Sequence, residues 1–233
     1  MLRDRAKRTI AKVGENLEEV RSVGRGGLGS LNLAFVGSAM LTRLPRVLGS
    51  YRKLDPRVQL RLHEFHADML MQAIRDGTVD VGLVRDAGPL ADIHIEKLLQ
   101  EKFVAVAPKT HALARRARIP VKALKNEPFV LFARSSGNYA WENTVGLYEE
   151  AGFRPHIVQE APQRLTILRL IGAGLSVTIA PACVQGISAL EVVCRNLTPS
   201  GAATNIELAY REDQGSPLAQ PFCTLARTIY RRG

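Results

Sequence analysis

At 233 residues, with 46% hydrophobic and 23% charged side chains, the chain is long enough for one large or two small globular domains. A disulfide-stapled mini-protein and a disordered tail are both excluded. The formal charge of +10 would suit a polyanionic partner, but most of the cations are scattered as on a solvated surface.

Residues 1–27 hold seven Lys/Arg against four acids, and smaller basic clusters stand at Arg115, Arg116, Arg118 and at Arg227, Arg231, Arg232. Cys183, Cys194 and Cys223 show neither CxxC nor a Cys/His ligand spacing, so no zinc site and no secreted disulfide framework is expected. The opening residues contain no apolar run of signal-peptide length, and nowhere do about 18 apolar residues follow one another. A cytoplasmic location without membrane contact is the expectation.

In chain order, Ala6, Ile10, Val13, Leu17 and Val20 alternate in spacings of four and three, the seam of a helix packed lengthwise on another. Gly14 within it costs about 1 kcal/mol relative to Ala, so this helix needs a partner. The run GRGGLG at 24–29 then breaks it as a hinge. Leu31 to Val36 is apolar enough for a buried strand, and Leu41, Leu44, Val47, Leu48 and Tyr51 recur at helical spacing after it. Val58 to Phe65 alternates as a second strand, with Val58, Leu60 and Leu62 on one face. Ala67 to Asp76 is a helix stopped by Gly77. VDVGLV at 79–84 and FVAVA at 103–107 are further strands.

A second round begins after the basic stretch 108–128. Strands are expected at 129–132, 157–159 and 175–180, with helices at 139–151 and 165–173 closed by Gly152 and Gly174. Segments 191–194 and 206–210 are β-type, and a helix over 218–231 can return to the first round. Strands separated by helices of this size imply crossovers and a mainly parallel sheet. Two lobes and a cleft follow.

Ligands of open α/β sheets sit beyond the carboxyl ends of strands, where helix N-termini aim backbone N–H groups. Two loops fit. Gly37-Ser38-Ala39 follows the first strand, and Ser38 either caps the next helix or shares its hydroxyl with an anionic ligand. Arg134-Ser135-Ser136-Gly137-Asn138 follows the FVLF strand, as a polar capping turn or as a second ligand loop. Arg85 ends the VDVGLV strand, where its guanidinium can hold a carboxylate bidentately or bridge to Asp86 or another acid. His66 can hydrogen-bond a ligand or simply sit at a strand-to-helix junction, and HEFH lacks the HExxH metal spacing. No GxSxG, GxGxxG or Walker loop occurs, and GRGGLG precedes the first strand where a phosphate loop would follow one. Neither an enzyme, a cofactor nor a metal is expected.

The segments LPRVLGSYRKLDPRV, RDGTVDVGLVR and IGAGLSVTIAP, in that order and spacing, resemble the effector-binding domain of LysR-type transcriptional regulators, and the likeness covers nearly everything from Leu28 onward. It implies an α/β fold of two Rossmann-like lobes of the periplasmic-binding-protein type II kind with an interlobe cleft. The linker helix and hinge would be residues 1–27, one lobe 28–107 plus 206–233, and the other 108–205. By motif, the ligand positions fall on Ser38 and its neighbour Ala39, on Arg85, and on Ser135, Ser136, Gly137 and Asn138, to which the residue reading adds His66. FVGSA and FVLFARSSG most resemble members sensing aromatic compounds or derived carboxylic acids. Where those members carry Thr after the HEF-like strand, this chain has His66-Ala67.

The resemblance further implies a homo-oligomer, dimer or tetramer, and a small-molecule effector. Family members open with a winged helix-turn-helix, and residues 1–22 match only the end of the linker helix. DNA is therefore expected to be reached only through an N-terminal domain that this chain does not supply. A stand-alone small-molecule binding protein, or the solute-binding protein of a transporter, shares the fold and is the alternative.

Overall fold

The computed structural model describes residues 29–187, 191–199, 201–212 and 216–232. The helix expected over residues 1–27 lies outside them. The first strand is β1 (Gly29–Phe35), followed by a 3-10 turn, Gly37–Leu41, and by α1 (Leu44–Leu54). Pro45 stands in the first turn of α1, where a missing N–H costs nothing, and Leu44, Val47 and Tyr51 bury one face. β2 (Val58–Glu64), α2 (Ala67–Asp76) and β3 (Val81–Arg85) come next. α2 ends on Gly77 at φ 73°, the left-handed stop that glycine adopts without strain.

β4 (His94–Pro108) is fifteen residues long. β5 (Arg118–Pro120), β6 (Pro128–Leu131), α3 (Asn138–Glu150), β7 (His156–Glu160), α4 (Arg164–Gly172) and β8 (Thr178–Pro181) follow. β9 (Val192–Thr198), β10 (Ala203–Tyr210) and α5 (Ala219–Arg231) complete the chain.

Two compact units result. Of the described residues, the first takes those up to Val84, Pro89–Leu98 and those from Glu207 on, and the second takes Arg85–Gly88 and Leu99–Ile206. The chain passes between the units after Val84, Gly88, Leu98 and Ile206, the third of these inside β4.

In the first unit β1 is central, with β2 and β3 parallel on either side, and the strand order runs β2-β1-β3-β10-β4. Leu31, Leu33, Leu83, Leu70 and Ile74 fill its core. α5 returns to this unit: Phe222 meets Tyr51 edge-on at 5.5 Å, and the hydroxyls of Thr42 and Tyr230 lie 2.6 Å apart. In the second unit β4 pairs antiparallel with β8 and with β9, β9 pairs parallel with β5, and β6 and β7 form a separate parallel pair. Phe129, Tyr148 and Phe153 make its aromatic centre, with ring centroids 4.8 Å and 5.6 Å apart for the two Tyr148 pairs.

The sheet is mixed, because β4 takes antiparallel partners in the second unit, and a buried apolar run such as FVAVA carries no sign of its neighbours' direction. The shared face of Val58, Leu60 and Leu62 is not buried as one: Val58 is, but Leu62 is 47% exposed, because β2 is an edge strand.

Gly82 marks the closest approach of helix and sheet, since a Cβ there would stand 2.5 Å from Leu70 Cδ2 and 2.7 Å from Ile74 Cδ1. Gly49, exposed within α1, has nothing within 4 Å. Urea unfolding should therefore show opposite signs, with Gly82→Ala losing about 1–3 kcal/mol by overpacking and Gly49→Ala gaining about 0.5–1 kcal/mol from helix propensity. Equal effects at both sites would contradict the packing described.

Candidate functional site

In the first unit, the loop after β1 is the 3-10 turn. Ser38 lies inside it and is buried, while Val36 takes the cap position without a side-chain cap bond. The expectation that Ser38 caps the next helix is corrected, because the turn separates it from α1, whose cap position is Arg43. Ala39 is fully buried, its N–H donates to the Val36 carbonyl at 2.8 Å, and its own carbonyl accepts from the Thr42 hydroxyl at 2.6 Å. Glu64 closes in beside this turn: its Oε1 stands 2.6 Å from where a Cβ on Gly37 would be. Only glycine lets the strand end and this carboxylate approach so closely. His66 holds the cap position of α2 in an extended conformation, its side chain making no cap bond and its carbonyl accepting from Leu70 N–H at 2.9 Å.

In the second unit, Arg85 is 5% exposed and thoroughly engaged. Its Nη2 donates to Glu101 Oε2 at 2.7 Å and approaches Cys183 Sγ at 3.8 Å, and its Nη1 donates to Thr204 Oγ1 at 3.1 Å. The acid it bridges to is Glu101, not Asp86. Glu101 is itself only 9% exposed at the side chain, so this is an ion pair out of water.

Asp86 is used differently. It stands at φ 46° and accepts from Thr204 Oγ1 at 2.6 Å, Asn205 N–H at 2.8 Å and Asn143 Nδ2 at 3.0 Å. Thr204 Oγ1 thus accepts a hydrogen bond from Arg85 and donates one to Asp86, joining β3, β10 and α3 in one network.

The loop after β6 forms a short 3-10 turn, Arg134–Ser136, and Gly137 takes the cap position of α3 without a side-chain cap bond. Ser135 is exposed and Gly137 buried, with its N–H on the Arg134 carbonyl at 3.2 Å; Asn138 is the first residue of α3. Arg134 turns outward, 3.0 Å from Glu142 and over the Trp141 ring at 5.2 Å.

Sequence reasoning missed Glu101, Thr204 and Arg164. Glu101 and Thr204 lie in strand halves that read as too polar or too short, although a charged residue within an apolar strand was a usable signal. Arg164, the first residue of α4, has its Nη1 buried without a hydrogen-bond partner and its guanidinium 5.1 Å over the Phe132 ring. Burial, and then the Arg85 charge, lower its pKa to about 10, so it remains a cation at neutral pH. Burial likewise pushes the Cys183 thiol up to about 11, which makes it a poor nucleophile. Among the described residues no three His, Cys, Asp or Glu side chains group as a metal site, and no helix is long and apolar enough to cross a membrane.

Removing one member of a buried ion pair strands the other, at a cost of about 3–5 kcal/mol. Glu101→Gln should therefore lower the urea midpoint strongly, whereas Glu142→Gln, which breaks the solvent-exposed pair with Arg134, should leave it nearly unmoved. Similar midpoints for the two variants would show that the Arg85–Glu101 pair is not structural.

Comparison with known proteins adds the family context. Residues 24–230 match the family model described as the LysR substrate binding domain. The HTH-type transcriptional regulator AlsR of Bacillus subtilis (strain 168) is 29% identical over 213 residues, which is 91% of this chain and 70% of that protein. The crystal structure of CbnR, a LysR family transcriptional regulator, superposes with a TM-score of 0.82 at 22% identity, over 97% of this chain and 78% of that one. The BenM effector binding domain with its effector benzoate superposes with a TM-score of 0.75 at 24% identity, over 87% of this chain and 92% of that one. These superpositions agree with an α/β fold of the type II periplasmic-binding-protein kind.

Proposed function

Because the chain belongs to the LysR substrate binding domain family, we propose that it senses a small inducer, an aromatic compound or a carboxylate, and through it controls transcription. The family consists of transcriptional regulators and not of enzymes. The protein acts in the cytoplasm as a homo-oligomer, dimer or tetramer, and DNA is read by a separate winged helix-turn-helix domain. The ligand is held by groups at the carboxyl ends of strands: Ser38, Ala39 and His66 in the first unit, and Arg85, Ser135, Ser136, Gly137 and Asn138 in the second.

The observation that carries this reading is the placement of buried polar side chains at strand ends. Ser38 follows β1 and Arg85 ends β3, which is where open α/β sheets take their ligands. A hydroxyl and a hydrogen-bonded guanidinium are groups that recognise and orient a ligand. Benzoate, the effector of the BenM domain, is a small aromatic carboxylate and gives the first compound to try. A ligand alters a regulator's output only by preferring one of its conformations, on the usual scale of about 1–3 kcal/mol.

Calorimetric titration of the chain with benzoate and a panel of related aromatic acids tests the assignment. Loss of one hydrogen bond to a charged ligand group weakens binding roughly ten-fold or more, so Ser38→Ala should bind its best ligand at least that much less well. Unchanged affinity would remove Ser38 from the site.

A further inference from the structure

Arg164 is held in a setting that is unfavourable to a cation in three independent ways. Its Nη1 is buried and makes no hydrogen bond, and among the described residues no ion pair involves its side chain. The residue as a whole is half-buried, and a guanidinium nitrogen taken out of water without a hydrogen-bond partner is costly. It also stands at the first residue of α4, a nine-residue helix, where the backbone dipole already presents positive charge. Finally, the groups whose charge acts on it are Arg85, Cys183 and Tyr148. The first repels it, and the other two are neutral thiol and phenol at physiological pH, both driven toward their protonated forms by burial.

The nearby acid does not answer this need. Glu101 lies 2.7 Å from Arg85, so its charge is matched by that guanidinium. No carboxylate is among the groups whose charge acts on Arg164, so its positive charge stays unmatched. The Phe132 face, 5.1 Å from the Arg164 guanidinium carbon, supplies a ring quadrupole that tolerates the cation but gives it no hydrogen-bond acceptor.

Resting on the effector reading above, we propose that Arg164 is the anion seat of this domain, and that the group it receives is the carboxylate of a small monoanionic ligand. One added negative charge satisfies Nη1, matches the charge of Arg164 and complements the α4 N-terminus at once. In this assignment the charge of Arg85 is already matched by Glu101, so Arg85 orients the ligand by hydrogen bonding while Arg164 meets the ligand's charge. Ligand selection by charge resides in Arg164 and not in Arg85.

Thermal unfolding and calorimetry of the whole chain with formate, acetate and benzoate, against the neutral benzamide, read this out in wild type, Arg164→Met and Arg164→Lys. The wild type should be stabilised by at least one carboxylate and not by benzamide. Arg164→Met should melt higher than wild type without ligand, because a stranded cation has been replaced by an apolar chain, and should bind that carboxylate roughly ten- to a hundred-fold more weakly. Arg164→Lys should recover part of the affinity, which a purely structural role would not produce. Carboxylate binding by Arg164→Met equal to wild type overturns the seat while leaving the effector reading standing. Stabilisation of the wild type by benzamide but by none of the three carboxylates does the same. A wild type that responds to none of the four probes overturns the seat and the aromatic-carboxylate effector together.

Discussion

A guanidinium can leave water only where something else replaces the hydrogen bonds and the screening that water gave it, and the second unit does this unequally for two arginines. Arg85 is supplied with a buried carboxylate and a hydroxyl, and that hydroxyl is fixed in turn by Asp86. The network spans the end of β3, the first residues of β10 and the helix α3, three segments far apart in sequence. Arg164 receives an aromatic face, and its Nη1 no hydrogen-bond partner. The difference separates structural from recognition chemistry: a satisfied buried ion fixes local geometry, and an unsatisfied one stores affinity for whatever completes it.

The first unit has the opposite electrostatic character at its corresponding turn. The loop after β1 is closed by backbone hydrogen bonds and by the Thr42 hydroxyl, and the nearest charged group to Gly37 is the Glu64 carboxylate. Ser38 therefore offers a hydroxyl in a turn that has a carboxylate beside it. Such a turn suits the neutral or hydroxyl-bearing part of a ligand better than its anionic end.

Legibility followed the range of the physics. Elements whose identity rests on local pattern were readable, such as α2 with its Gly77 stop, α4 before Gly174, and the apolar strands β1 and β3. The first nine residues of β4, His94 to Lys102, were not, because a partly exposed strand alternates charged and apolar residues without a buried run to announce it. The candidate site divides the same way. Ser38 and Arg85 could be found from their places after strands, but the Arg85–Glu101 pairing and the isolation of Arg164 depend on long-range packing that no spacing encodes. Arg164 reads in the sequence as one scattered basic residue just ahead of the helix expected over 165–173.

The return of α5 to the first unit has a consequence for the order in which the chain can be completed on the ribosome. The core of the second unit is drawn from residues 103 to 197, one continuous stretch, and is available to close as soon as that stretch has emerged. The first unit needs Phe222 against Tyr51 and Tyr230 against Thr42, so its amino-terminal strands are made early and wait, with apolar surface uncovered, for the last helix to be translated. Nascent chains paused before residue 219 are thus the form of this protein with the greatest call on chaperones.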